Sequence, residues 1–409
     1  MSTVTATRRL TAPAPTRRLS ALWPALLAAP IATGANAPVL ILPDMARSLG
    51  VPTDRATWTV TVFAWAMTVG TPLFAALVRH RGLGLTLVVS TVTTLAGTVT
   101  LALAPWFSLA LVGRAAQAAG GAGLVAVAMN LAGSTRRMGT ITAGFGVLGA
   151  VGPLVGSVLA TTVGARAPLT VSALALLAVP AVRRHIASGE AASERPPRTT
   201  PFDAVGAGLV VAMASALVLA PTAPLAGGLT AAALAVPLAL HVRRRPDGFV
   251  PAAAVRSRVF RHSALLAFVF STSYFTLLFA LPELARLRTE WSAEAVGTGQ
   301  LAALLTGSAL SWILAATAGQ LGHRRSLTLL VALGTAAPLA AVAATGAPVL
   351  LLAAAAAVFV ATGSNAVLSV HASRQVPEAQ RPAAIGLFVL CYQLGGAVGP
   401  ALAALSVLT

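Results

Sequence analysis

The sequence has 409 residues, 57% of them hydrophobic and only 9% charged, with a mean hydropathy of +0.84. Against the roughly 25% charged residues of a soluble globular chain, this excludes fibrous, disordered and disulfide-stapled classes and argues against soluble domains. The basic residues number 28, all arginine, against 10 acidic ones, a net charge of +18; they lie between apolar blocks and are not interleaved with aromatics, so they read as membrane topology signals and not as a nucleic-acid surface.

The chain opens with a polar segment, 1–20, holding Arg8, Arg9, Arg17 and Arg18. The apolar run behind it, 21–43, is too long for the core of a cleaved signal. The expectation is a cytoplasmic tail and an uncleaved first helix. Further apolar blocks follow near 56–78, 83–104, 106–131, 138–162, 165–182, 203–221, 224–242, 261–282, 294–318, 326–346, 348–373 and 381–407. Each can supply about 20 apolar residues, the length of a membrane-spanning helix. The expected fold is therefore an all-α membrane protein of about 13 transmembrane helices. With the N-terminus inside and the helices alternating, 22 arginines fall in cytoplasmic segments and five, Arg47, Arg55, Arg166, Arg286 and Arg288, fall outside. That asymmetry is the one the positive-inside rule demands. Arg114 alone is left within a helix. Trp23, Trp106 and Trp291 sit near block ends, where interfacial tryptophans are common.

Three segments recur in order. LPDMARSLG (42–50) matches LPELARLRT (281–289), VRHRG (78–82) matches LGHRR (321–325), and GAVGPLVGS (149–157) matches GGAVGPALA (395–403). The offsets, measured at Pro43/Pro282, His80/His323 and Pro153/Pro400, are 239, 243 and 247. A parallel duplication of this kind is a transporter signature. It divides the chain into a cytoplasmic tail (1–20), a six-helix N-terminal bundle (21–183), a cytoplasmic linker (184–202), an interposed helical hairpin (203–242), a basic cytoplasmic loop (243–260) and a C-terminal bundle (261–409). Within 409 residues the second, pseudo-symmetric bundle has room for five helices, which puts the C-terminus outside.

On these residues the chain resembles the major facilitator superfamily, and within it the drug:proton antiporter type with a fourteen-spanning layout. GRAAQAAGG (113–121) is similar to the family motif with an intramembrane arginine, here Arg114, and a glutamine three later, here Gln117. GFGVLGAVGPLVG (144–156) is similar to the exporters' Gly-Pro motif, with Gly149, Gly152 and Gly156 allowing close helix contact and Pro153 a bend. The loop after the second helix, AALVRHRG (75–82), departs from the pattern: Arg79 stands where the family has an aspartate. Gly34 and Asn36 occupy the first-helix positions where such antiporters often carry a proton-binding acid. The resemblance implies alternating access about a midplane site.

Ten acids are present and none falls mid-helix. Asp44 and Glu283, related by the repeat, are the candidates for proton coupling at the outer mouths. Arg114 is the candidate charge inside the membrane; an arginine at that depth is costly unless it faces water or a partner. Its expected effect is to favour neutral or anionic substrates over cations. Asn36, Trp65, Gln117, Asn130, Tyr274, Trp312, Asn365, Tyr392 and Gln393 are candidates for lining a cavity, with interhelical hydrogen bonding as the competing role. Cys391 reads as a small buried hydrophobe. No metal cluster, cofactor motif or catalytic constellation is visible, so an enzyme is not expected. The reading is a monomeric exporter of small amphipathic molecules, such as antibiotics or secondary metabolites, in a bacterial inner membrane, with protons as a candidate partner. The alternatives are export of sugars or other metabolites, and a non-transporting sensor or inactive relative.

Overall fold

The computed structural model describes residues 19–38, 41–132, 135–188, 202–221 and 223–408. Nearly all of the tail expected over 1–20 and most of the linker over 184–202 lie outside the described residues. The major elements are α1 (Leu22–Asn36), a short α2 (Leu42–Leu49), α3 (Trp58–Leu103), α4 (Phe107–Ala132), α5 (Thr135–Thr162), α6 (Ala167–Ala187), α7 (Ala204–Leu219), α8 (Pro224–Arg244), α9 (Arg258–Arg288), α10 (Ala293–Leu321), α11 (His323–Ala343), α12 (Ala347–Ser373) and α13 (Arg381–Leu408). Among the described residues, nine helices are long and apolar enough to cross a membrane, and the molecule is a multi-pass, all-helical membrane protein.

α3 is two arms joined at Gly82, whose φ of 80° and ψ of 175° are not helical. Only glycine takes that conformation without strain. Gly322 makes the same kind of turn between α10 and α11, with φ 77° and ψ 156°.

Lipid is as apolar as leucine, so helices here cannot be driven together by hiding hydrocarbon from water. They meet through small residues instead. The second arm of α3 turns Leu85, Val88, Val92, Leu95, Val99 and Leu103 outward, and buries Thr86, Ser90, Thr94 and Gly97. The exposed stripe, spaced three or four residues apart, is the lipid face of a helix. The buried one meets the glycines of α4. A Cβ on Gly97 would sit 2.3 Å from the Gln117 nitrogen, and one on Gly120 would sit 2.5 Å from the Thr94 nitrogen. No side chain fits there, so the two backbones touch and gain dense dispersion contact.

The same logic joins α1 to α5 and α9 to α13. A Cβ on Gly156 would lie 2.0 Å from the Ala37 carbonyl, and one on Gly152 would lie 2.8 Å from the Thr33 carbonyl. In the other half, a Cβ on Gly395 would lie 2.5 Å from the Phe268 carbonyl, and one on Gly399 would lie 2.6 Å from Phe275. Buried apolar side chains gather accordingly. One cluster, with Leu27, Ile31, Phe63 and Leu124, belongs to α1–α6. Another, with Phe260, Leu281, Leu304, Leu350 and Phe388, belongs to α9–α13. A third lies between them: Val69 and Ala76 of α3, Val210 and Ala214 of α7, and Leu390 and Leu394 of α13. The hairpin α7–α8 is therefore packed on the seam where the two halves meet.

Candidate substrate cavity

α1 ends at Asn36, and the first arm of α3, α5, α9, α12 and α13 converge beside it. Between them lies about 710 Å³ of space, part of it open to solvent. From the first half the wall is Ile31, Asn36, Phe63, Met67 and Phe145; from the second it is Tyr274, Phe275, Phe279, Thr362, Tyr392 and Gln393. Asn36 is fixed in place, its Nδ2 donating to the Gly149 carbonyl at 3.0 Å. Thr33 repeats that contact one turn earlier, its hydroxyl donating to the Leu148 carbonyl at 2.8 Å. Tyr274 and Tyr392 are each 5% exposed, so their rings are wall and not surface. The cavity lies toward the side carrying α2 and the end of α9. On the opposite side α3 and α13 close together: a Cβ on Gly386 would come within 2.5 Å of the Ala75 Cβ. Among the described residues the lining holds aromatic rings, amides and hydroxyls, and no formally charged side chain.

Four of the expected site residues, Asn36, Tyr274, Tyr392 and Gln393, meet in this cavity. The Gly-Pro motif borders it through Gly149, while Gly152 and Gly156 serve the α1–α5 contact and Pro153 lies within α5.

Arg114 and Gln117 lie behind the wall. Arg114 is fully buried, and its Nη2 donates to the Gly34 carbonyl at 2.7 Å. Nη1 donates to the Gln117 Oε1 at 2.8 Å and to the Leu169 carbonyl at 3.4 Å, and Nε to the Thr59 carbonyl at 3.4 Å. The guanidinium also lies 4.1 Å from the centroid of the Phe63 ring, a cation–π distance. Gln117 in turn donates to the Thr98 hydroxyl at 3.0 Å and the Leu169 carbonyl at 2.9 Å. Phe63 thus separates Arg114 from the cavity, and the arginine's hydrogen bonds go to α1, α3 and α6 and within its own α4. Gly34 has no room for the side chain that antiporters carry there: its Cβ would be 2.0 Å from the Ser172 hydroxyl.

The remaining candidates are dispersed. Trp65 turns to the hairpin, donating from Nε1 to the Ser215 hydroxyl at 2.9 Å. Asn130 donates to the Ala126 carbonyl of its own helix at 2.8 Å. Asn365 is buried in α12 outside the lining, and Trp312 is 45% exposed. Asp44 forms an exposed ion pair with Arg47, and Glu283 forms one with Arg286. Both pairs span three residues at the repeat-related helix ends.

Several functional-looking groups are absent from the sequence reading. Phe63, Met67, Phe145, Phe275 and Phe279 supply much of the wall. The repeat offset of 239 carries Asn36 onto Phe275, a signal that was present in the sequence. The second omission is polar. Asp203 is 4% exposed and accepts from the Phe249 nitrogen at 2.9 Å, the Gly206 nitrogen at 3.0 Å and the His241 Nε2 at 2.8 Å. Burial pushes its carboxyl up, but the hydrogen bonds from Phe249, Gly206 and His241 outweigh that and hold it below the usual aspartate range. Among the described residues, no group of three or more His, Cys, Asp or Glu is placed to hold a metal ion.

A multi-pass helical protein with a cavity walled by both of its halves has the form of a carrier. The family model described as Major Facilitator Superfamily matches residues 22–400, and the chain belongs to that family of membrane transporters. Among solved structures it is similar to the crystal structure of the human organic anion transporter MFSD10 (TETRAN), with 18% sequence identity and a TM-score of 0.61, covering 96% of this chain and 93% of that one. At that identity the likeness is one of fold. No curated protein matches the chain.

Proposed function

We propose that this chain moves a small, uncharged, amphipathic organic molecule through the cavity by alternating access, as an exporter. The observation that carries the reading is the cavity wall itself, apolar and aromatic with Asn36, Tyr274, Tyr392 and Gln393 as its polar groups. A full ionic charge is costly to bring into such surroundings without a counter-charge. MFSD10 is an organic anion transporter; here Arg114 is behind Phe63 and hydrogen-bonded to the protein's own groups, which favours neutral cargo over anions. A metabolite fits this wall as well as an antibiotic does. The topology, with the N-terminus inside and a second bundle related to the first by the repeat, rests on the loop arginines and on the paired glycine contacts of α1–α5 and α9–α13. A bacterial inner membrane and a single working copy complete the reading. If the cycle is coupled to protons, Asp44 and Glu283 are the carboxylates at the outer mouth, each held by its own arginine.

The test is counterflow in proteoliposomes with a panel of neutral, anionic and cationic aromatic compounds of similar size. The expected result is saturable exchange of neutral members, reduced at least tenfold by Gln393→Ala and by Tyr392→Ala. Selective exchange of ions, or exchange indifferent to both substitutions, would overturn the assignment.

A further inference from the structure

The segment between α8 and α9 is tied to three separate parts of the molecule. Arg79, at the end of the first arm of α3, donates from Nη1 to the Gly248 carbonyl at 3.2 Å. Gln380, just before α13, donates from Nε2 to the Asp247 carboxylate. Asp203, the N-cap of α7, accepts from the Phe249 nitrogen at 2.9 Å while also holding His241 of α8. An aromatic chain reinforces this: His80 meets Phe202 edge-on at 6.0 Å, and Phe202 meets Phe249 edge-on at 6.2 Å. Gly248 is needed where it stands, because a Cβ there would lie 2.5 Å from the Asp203 carboxylate. Residues 247–249 therefore form a strap joining the first half, the hairpin and the second half. The strap lies on the closed side of the cavity, where α3 and α13 touch.

We propose that this strap is a latch of the transport cycle and that the interposed hairpin is its working part, with Asp203 as the residue that positions it. The proposal rests on the alternating-access reading. For the cavity to open on the strap side, α3 must part from α13. The Arg79 guanidinium then leaves the Gly248 carbonyl, or Gln380 leaves Asp247. The strap itself is continuous with α9 and is bound to α7 through Asp203, so it cannot follow α3 freely. While the latch is made, the side facing α2 is the open one. Asp203 does not bridge the halves directly; it fixes the backbone of 248–249 so that the Gly248 carbonyl faces Arg79. Its burial and its three hydrogen bonds give the strap one conformation, where a plain loop would have many. This gives the hairpin a role beyond filling the seam: it supplies the anchored end of the latch.

The test uses the full chain with Cys391 replaced by alanine and spin labels in two separate pairs. One pair, at Arg81 and Gln375, reports the strap side; the other, at Arg55 and Leu287, reports the opposite side. Arg79→Ala removes the charge-assisted hydrogen bond to Gly248, along with the contact to His80, and loss of the Gly248 bond predicts at least a roughly tenfold rise in the ratio of strap-open to strap-closed molecules. Asp203→Ala and Gly248→Ala are expected to shift the same ratio in the same direction, with the opposite pair moving closer together. Val210→Ala, which loosens packing in the cluster that also holds Phe249 but removes none of the strap's hydrogen bonds, is expected to leave the ratio within about twofold. If Asp203→Ala fails to fold, Gln380→Ala, in the turn before α13, carries the same expectation. Two distance populations that none of the strap variants alters would sink the latch and leave alternating access standing. Equal shifts from Val210→Ala and Asp203→Ala would reduce the strap to packing and also overturn it. A single distance in every variant and in the presence of transported compound would overturn the carrier reading itself, and the latch with it.

Discussion

Replacing Arg114 separates a structural arginine from a substrate-binding one. The structure gives its guanidinium four hydrogen bonds, to Gly34, Gln117, Leu169 and Thr59, and a face of Phe63. Two of the four are long, at 3.4 Å, and contribute little. The two short ones are charge-assisted, at about 1.5–3 kcal/mol each. Removal also leaves the Gly34 carbonyl and the Gln117 Oε1 buried with a partner lost, at about 1–3 kcal/mol per group. These terms overlap, so Arg114→Ala is expected to destabilise the folded protein by about 3–5 kcal/mol. Arg114→Lys keeps a charge but has one ammonium in place of the planar fork, and cannot reach Gly34 and Gln117 together; about half the loss should remain. The assay is thermal unfolding of detergent-solubilised protein, paired with the charge-selectivity panel in proteoliposomes on the fraction that stays folded. The expected outcome is a large fall in melting temperature with unchanged selectivity. Wild-type stability in Arg114→Ala, or a gain in exchange of cations, would refute the placement of this residue behind the wall.

Two further outcomes follow from other contacts. Gly156→Ala puts a methyl 2.0 Å from the Ala37 carbonyl, a contact that backbone alone can relieve, so α1 and α5 must separate; a loss of about 1–3 kcal/mol is expected, whereas Gly208→Ala, which meets open space, should be neutral or slightly stabilising in the same unfolding assay. Because the folded Asp203 carboxyl titrates below its unfolded value, its contribution is complete at neutral pH and is lost only as pH falls through the folded value, below an unfolded reference of about 3.9. The stability gap between wild type and Asp203→Asn should accordingly not narrow as pH falls from 8 to 6, and a gap that closes within that window would contradict the hydrogen bonding described.

The fold class and the cavity were legible in the sequence to different depths, for physical reasons. A bilayer imposes length and backbone satisfaction on every crossing segment, so apolar blocks and loop arginines report helices directly. The turn at Gly82 is readable for the same reason: an arginine-flanked glycine between two apolar runs has few other structures. Side-chain direction is harder. In a soluble helix polarity marks the outer face, but in α3 the buried face is the one with Thr86, Ser90 and Thr94, and the exposed face is leucine and valine. Hydrophobic periodicity therefore says little about which residues face a cavity. Arg114 shows where that leads. A lone charge in an apolar block reads as a site, because burial without a partner is costly; yet besides Gln117 its hydrogen-bond partners are main-chain carbonyls of Gly34, Thr59 and Leu169, which no residue type announces. Asp203 is the converse case. At the edge of a polar linker it resembles a solvated charge, and its burial comes from the strap's Phe249 and Gly248, more than forty positions along the chain. Arg114 and Asp203 are thus committed to holding helices and loops in place, and the described cavity lining is polar through amides and hydroxyls, the feature on which the proposed preference for neutral cargo rests.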